Sequence, residues 1–125
     1  FLNLQSIIHA LYRQLDANRN LAGILIICAG TEERFDLPDT LCAGMLIESL
    51  GPDFETNDLG LAAKLLYKLA KEDLLTVIRN SDHAKRLLDL GFERDVTYCS
   101  TANILPIVPV LYEGEIVWLT EDIRG

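Results

Sequence analysis

The stretch ILIICAGTEERFDLPD, residues 24–39, joins two different patterns at one point of the chain. Residues 22–28 form a continuous apolar run without alternation, which predicts a strand buried on both faces of a sheet. A Gly-Thr turn ends the run, and Asp36 and Asp39 follow with the spacing of a helix cap. Pro38 suits the first turn of that helix. The stretch therefore predicts a strand, a turn and a helix N-terminus in succession.

The rest of the chain interleaves helical and strand patterns around this unit. Apolar spacing and caps predict further helices over residues 4–17, 58–70, 72–79 and 81–91, and they end the helix that begins near Asp36 at Gly51. Strand patterns cover 95–99 and 107–119, the latter as a hairpin that turns at Glu113-Gly114 with Pro109 on a sheet edge. Gly44, in mid-helix, indicates that another segment passes close to its backbone.

These elements predict the α/β class, with layered helices around a mixed sheet. A buried central strand needs a neighbour on each side, and the chain supplies few strands. It also starts within a helical pattern and without an initiator Met. We therefore expect residues 1–125 to be one portion of a larger two-part α/β fold.

Composition excludes several classes of function. The chain has 125 residues, half of them apolar, and a net charge of -8, with no basic stripe that would bind nucleic acid or an anionic membrane. Its longest apolar run is far shorter than the ~20 residues of a membrane span, and no leader pattern opens it. The three cysteines, Cys28, Cys42 and Cys99, are odd in number and form no CxxC pair. We expect buried, unpaired cysteines and a cytoplasmic location.

The quoted stretch also predicts a site, because ligands of layered α/β folds bind at the carboxyl ends of strands. The turn at Gly30 and Thr31 precedes a helix N-terminus, and Arg34 offers a forked guanidinium, so a phosphate, sulfonate or carboxylate ligand suits this place. The neighbouring carboxylates would repel such an anion unless Mg²⁺ stood between them. Two alternatives remain open: the acids only cap a helix and cover a loop, or Cys28 is a nucleophile.

The residues CAGTEERFDLPDTLCAG, 28–44, resemble the signature of the 2-phosphosulfolactate phosphatase family. The resemblance continues in order through NDLGLAAKLLY, SDHAKRLLDLGFERDVTYCS and IVPVLYEGEI, and so covers nearly the whole chain. One position departs from the family pattern, because Pro38 stands where the family usually has Glu. If that Glu assists the metal or the substrate, this chain has lost one contact.

The resemblance implies Mg²⁺-dependent hydrolysis of 2-phospho-3-sulfolactate in coenzyme M synthesis. Carried over to this chain, it implies a catalytic Asp39, metal ligands Asp39 and Glu33, and substrate contacts from Gly30, Thr31 and Arg34. Family members are about twice this length, so the chain resembles their carboxyl-terminal portion, and the amino-terminal half is its expected partner, with a homo-oligomer as a further possibility. Two alternatives to this function remain: a phosphatase of the same fold that acts on another small phosphorylated acid, and a non-catalytic protein that binds small anions.

Overall fold

The computed structural model describes residues 1–18, 20 and 22–119, and the chain divides into two compact units. One unit combines the two ends of the chain, Phe1–Leu21 and Ala102–Gly125, and the other is Ala22–Thr101. Segments distant in sequence therefore meet in the first unit, whereas the second unit is continuous in sequence.

In the first unit, a helix (α1) spans Leu4–Ala17, as its apolar periodicity predicts. Its buried side chains are Leu4, Ile8 and Ala10. Backbone hydrogen bonds attach the start of the chain to a distant segment: Asn103 N–H donates to the Phe1 carbonyl at 3.2 Å, and Leu105 N–H donates to the Leu2 carbonyl at 2.9 Å. The packing of α1 thus depends on residues about one hundred positions later.

The same unit contains the predicted hairpin. Strands β1 (Pro109–Tyr112) and β2 (Glu115–Trp118) pair antiparallel. The two turn residues have positive φ, 49° at Glu113 and 87° at Gly114, which matches the twist of a two-residue hairpin turn. Both strands are edges of this two-stranded sheet, so Pro109 is accommodated as predicted.

The second unit is helical, and polar side chains begin most of its helices. Asp36, Asn57, Asp73 and Ser81 each accept a hydrogen bond from a backbone N–H in the first turn that follows. The predicted helices are confirmed, with a short 3₁₀ turn at Lys71–Asp73 leading into the third of them. The bounds of the predicted helices are α2 Leu37–Leu50, α3 Asp58–Ala70, α4 Leu74–Arg79 and α5 Asp82–Asp89, and one further helix, α6, spans Glu93–Cys99.

Helices α2 and α3 pack closely at Gly44, and the expected close approach is confirmed. A Cβ atom built on Gly44 would collide with the carbonyl oxygen of Ala63 and would lie 2.8 Å from Cβ of Tyr67. Glu48, near the end of α2, forms ion pairs of 3.3 Å with Lys64 and 3.4 Å with Lys68. Glycine therefore fixes the distance between the helices, and the partly exposed ion pairs add little to the stability of this contact.

The predicted strand at residues 95–99 is wrong, because these residues lie in α6. Val96 is buried, and the hydroxyl of Ser100 donates to the Val96 carbonyl at 2.7 Å, one helical turn back. The five-residue pattern is compatible with both periods, since Val96 and Cys99 also have helical spacing. Packing against α5 decides in favour of the helix.

The prediction of a buried strand at residues 22–28 is also not met. In the part of the chain that the structure describes, these residues join no ladder, and the side chains of Leu25 and Ile27 are 84% and 79% exposed. A strand is buried only between neighbouring strands, and the described residues supply none to this segment.

The fold class is nevertheless α/β, as predicted, with helices predominating over a small antiparallel sheet. A larger mixed sheet stays a prediction. Among the described residues, none of the helices combines the length and the apolar character that a membrane span requires.

Candidate functional site

The turn after Cys28 has an unusual backbone. Thr31 and Arg34 exchange two backbone hydrogen bonds, of 3.0 and 3.2 Å. The residues between them, Glu32 and Glu33, both have positive φ, 53° and 60°. This left-handed conformation costs a residue with a side chain roughly 1–2 kcal/mol. Glu32 and Glu33 therefore form a tight turn of left-handed backbone, a conformation that is frequent at functional sites.

Gly30 and Asp39 join this turn to α2. Gly30 has a φ of 73°, and a Cβ atom there would lie 2.5 Å from the carbonyl oxygen of Arg34. Its N–H donates to Oδ2 of Asp39 at 2.7 Å. The loop therefore requires glycine, and the Asp39 carboxylate holds it against the start of the helix.

Asp36 makes the second connection between the turn and α2. Its side chain is buried, and its Oδ1 accepts the N–H of Asp39 at 3.3 Å, so its predicted role as helix cap is confirmed. Its Oδ2 accepts the Thr31 hydroxyl at 2.5 Å. Asp36 thus binds both the helix N-terminus and the turn.

The hydrogen bonds within this region occupy the donors of Gly30 and Thr31 that were expected to bind an anion. The N–H of Gly30 donates to Asp39, while Thr31 donates its N–H to Arg34 and its hydroxyl to Asp36. In this conformation the three donors are satisfied within the loop rather than directed at an anion. The substrate contacts of Gly30 and Thr31 stay predictions, and binding through these groups would require the loop to rearrange.

Cys28 is exposed, so the prediction that it is a small buried residue is wrong; Cys99 is exposed as well, and Cys42 is intermediate. The pKa of the Cys28 thiol is raised, first by desolvation and then by the negative charge of Asp39. A raised pKa leaves little thiolate at neutral pH. The environment therefore disfavours the nucleophile alternative.

A cavity of about 390 Å³ lies between the turn and the start of α5. It contains two helix N-termini, those of α2 and α5, each carrying partial positive charge. Its polar lining includes both signs of charge. The lining residues that bear on function are Thr31, Glu32, Arg34, Asp36, Asp82, His83 and Arg86.

Arg86 is a candidate site residue that was not expected from the sequence. It lines the same cavity as Arg34, and its Nη1 donates to Oε1 of Glu32 at 2.8 Å. The side chains of both partners are 65% exposed. Exposed pairs of this kind are weak, so Glu32 does not hold the Arg86 guanidinium tightly.

His83 also comes to this place from a distant part of the sequence. Its ring Nδ1 lies 3.3 Å from the Thr31 hydroxyl oxygen. One sequence signal was available: His83 and Arg86 are three residues apart after the Ser81 cap, and residues so spaced share a helix face. His9, in contrast, lies on α1, where its ring bonds to Gln5 at 3.1 Å.

The described residues do not by themselves form a magnesium site. Among them, no three Asp, Glu, His or Cys side chains gather in a way that would hold a metal ion. Asp39 lies at the start of α2 with one oxygen bonded to Gly30, and Glu33 is exposed in the turn. Their roles as metal ligands stay predictions, and further ligands would have to come from elsewhere.

Comparison with known proteins shows which family this chain resembles. A family profile described as 2-phosphosulpholactate phosphatase matches residues 1–114. A protein of Symbiobacterium thermophilum named "Probable 2-phosphosulfolactate phosphatase" is 40% identical over 99 residues, which is 77% of this chain and 42% of that protein. A protein of the same name from Thermotoga petrophila is 38% identical over 117 residues, 91% of this chain and 47% of that protein. The chain thus spans about half the length of the curated relatives that it matches.

Proposed function

The chain belongs to the 2-phosphosulfolactate phosphatase family, and from this premise we propose that the complete protein containing it hydrolyses 2-phospho-3-sulfolactate to 3-sulfolactate and phosphate. The names of the relatives support this reaction. The proposal includes dependence on Mg²⁺, a place in coenzyme M synthesis, a cytoplasmic location and a carboxyl-terminal position of this chain in a protein of about twice its length.

The cavity between the turn and α5 is the observation that supports the proposal. A substrate that carries a phosphate, a sulfonate and a carboxylate needs several positive groups within one small space. Arg34 and Arg86 line the same cavity from different elements, and two helix N-termini border it. Forked guanidinium groups are the side chains best suited to such oxyanions.

In the proposed reaction, Arg34 and Arg86 bind and orient the anionic groups of the substrate. Arg86 exchanges Glu32 for a substrate oxyanion, and the released glutamate moves away from the bound charge. Asp39 keeps the turn in place through Gly30. Magnesium, bound with ligands beyond those gathered here, would polarise the phosphoryl oxygens.

Phosphate release by the complete protein tests the proposal. We expect turnover of 2-phospho-3-sulfolactate that EDTA abolishes and Mg²⁺ restores. Arg86→Gln should lower kcat/KM about 10- to 100-fold, the scale of a hydrogen bond to a charged group. Arg79→Gln is the matched control, because Arg79 is also partly exposed and also pairs with a glutamate, Glu93 at 2.6 Å, but does not line the cavity.

The same assay separates the two alternatives. If the protein hydrolyses other small phosphorylated acids but little 2-phospho-3-sulfolactate, it is a phosphatase, and the proposed substrate is wrong. Saturable binding of such acids without release of phosphate would indicate a non-catalytic anion binder, for which the replacement of the family Glu by Pro38 supplies a reason. Equal loss of activity in the Arg86 and Arg79 variants would show that the cavity is not the substrate-binding site.

A further inference from the structure

Three side chains connect the buried cap of α2 with the edge of the cavity. The Thr31 hydroxyl oxygen lies 2.5 Å from Oδ2 of Asp36 and 3.3 Å from Nδ1 of His83. Asp36 is 8% exposed, whereas His83 is exposed and lines the cavity. The chain Asp36–Thr31–His83 therefore runs from the interior of the second unit to the place where the proposed substrate binds.

The hydrogen bonds determine where the protons lie. An ionised carboxylate only accepts hydrogen bonds, so the single hydroxyl proton of Thr31 belongs to its bond with Asp36. The Thr31 oxygen can then only accept from His83, and Nδ1 of the ring must carry a proton. Nε2 is consequently the position at which His83 gains or loses a proton.

We propose that His83, oriented by Thr31, is the general acid of the reaction; this inference rests on the proposed phosphatase function. Water forms a bond to phosphorus as the bond between phosphorus and the C2 oxygen breaks. The Nε2 proton of the imidazolium passes to the departing C2 oxygen, and the protons of the water leave with the phosphate product. The ring is left neutral, with Nδ1–H still bonded to Thr31, and regains its proton from solvent.

The chemistry of the substrate favours an acid over a base at this position. Phosphoryl transfer passes through a loose transition state in which the nucleophile needs little activation. The C2 oxygen, however, leaves as an alkoxide unless a proton reaches it, so donation to this atom lowers the barrier most. The charged side chains that line the cavity with His83 are the carboxylates Glu32, Asp36 and Asp82 and the guanidinium groups of Arg34 and Arg86.

The leaving group provides the test. In the complete protein, His83→Gln should lower turnover of 2-phospho-3-sulfolactate by about 10²-fold or more, the scale of general acid catalysis. It should change turnover of p-nitrophenyl phosphate little, because nitrophenolate departs without a proton. His9→Gln is the control, since His9 is the other histidine and lies outside the cavity; it should leave both reactions unchanged.

A second measurement does not depend on turnover. Nitrogen NMR of the neutral His83 ring should show the proton on Nδ1, although histidine in water prefers Nε2. Thr31→Val should return the ring to the Nε2–H form and lower turnover of the alkyl substrate, and Thr31→Ser should restore both. A ring with its proton on Nε2 in the wild-type protein would overturn the inference, whatever the activity.

Equal loss with both substrates, or no loss with either, would likewise reject His83 as the acid. Failure of the proposed function is recognised differently, by a wild-type protein that releases no phosphate from 2-phospho-3-sulfolactate. In that case, the nitrogen spectrum still decides whether Thr31 positions the ring.

Discussion

At the scale of single residues, the turn after Cys28 stores strain at two glutamates. Glu32 and Glu33 hold left-handed conformations that glycine or asparagine would adopt at lower cost. Glu32 uses its side chain to hold Arg86. Strain of this kind is frequent at binding sites, although Glu113 adopts the same conformation in the hairpin turn.

Asp39 has a structural bond and a predicted catalytic role, and one substitution separates them. Asp39→Asn keeps an oxygen that accepts the Gly30 N–H but removes the charge. We expect Mg²⁺-dependent turnover of the complete protein to fall at least ~10²-fold. Urea denaturation should show a loss of only about 0.3–1 kcal/mol, that of an acid at a helix N-terminus. Near-normal turnover in Asp39→Asn, with loss only in Asp39→Ala, would reassign Asp39 to holding the loop.

Cys28 should be dispensable and slow to react. Cys28→Ala is expected to keep turnover and to change the free energy of unfolding by less than about 0.5 kcal/mol, because the side chain is exposed. Its raised pKa means less thiolate at a given pH, so alkylation of Cys28 should be half-maximal at a pH above the ~8.5 of a free thiol. Site-resolved mass spectrometry measures this midpoint. Loss of turnover in a folded Cys28→Ala protein would revive the nucleophile.

At the scale of elements, contact between α2 and α3 depends on the missing side chain of Gly44. The collision of a built Cβ is with a backbone carbonyl, which cannot rotate away as a side chain can. The helices must therefore separate to admit even one carbon atom. The ion pairs of Glu48 with Lys64 and Lys68 lie on the surface of the same pair of helices and depend on their spacing.

Gly44→Ala should therefore destabilise the protein although alanine is the better helix former. We expect a loss of about 1–3 kcal/mol in the free energy of unfolding, as for other overpacked sites. Gly23→Ala is the matched control, because a Cβ there meets nothing within 4 Å, and its stability should be unchanged or slightly raised. A Gly44→Ala protein as stable as the control would show that the helices can separate without cost.

Elements marked by their ends were predictable from the sequence, and so was α1, whose apolar periodicity extends over several turns; a short segment marked only by periodicity was not. Asp36 and Ser81 as caps and the Glu113-Gly114 turn located α2, α5 and the hairpin, since these signals act within a few residues. The α6 segment carried no such cap signal; its N-cap, Phe92, makes no side-chain cap bond. Short periodicity alone then allowed either structure.

Only the part of the site formed by residues close in sequence was predictable. The turn, its glycine and its acids adjoin in sequence, so their proximity followed from chain connectivity. The approach of His83 and Arg86 to Thr31 and Glu32 spans more than fifty residues and is fixed by packing within the second unit. No local pattern encodes such a distance, although the shared helix face of His83 and Arg86 marked them as a pair.

At the scale of the whole molecule, large apolar side chains remain exposed. Leu25 and Ile27 lie two residues apart in the segment before the turn, and Leu59 and Leu69 on α3 are 81% and 84% exposed. The chain also spans about half the length of its curated relatives. We propose that the remainder of the complete protein covers part of this surface, since exposed apolar patches of this kind usually mark an interface.

Residues 1–125 expressed alone should therefore release no phosphate and should self-associate. Supplying the remainder of the complete protein in trans is expected to prevent this self-association and to restore Mg²⁺-stimulated turnover. Size-exclusion chromatography and the phosphate assay measure the two effects. A monomeric, cooperatively folding and active 125-residue chain would contradict the proposed division of the protein.

The first unit, built from segments about one hundred residues apart, imposes an order on events during synthesis. Helix α1 leaves the ribosome before Asn103 and Leu105, to which the residues ahead of it bond and which emerge about one hundred residues later. Closing the intervening loop of about 80 residues costs on the order of 4 kcal/mol of chain entropy. The second unit has contacts closer in sequence and can form while α1 still waits. Residues 102–119 thus complete the fold of residues 1–18, and the nascent protein carries an unprotected amphipathic helix until they emerge.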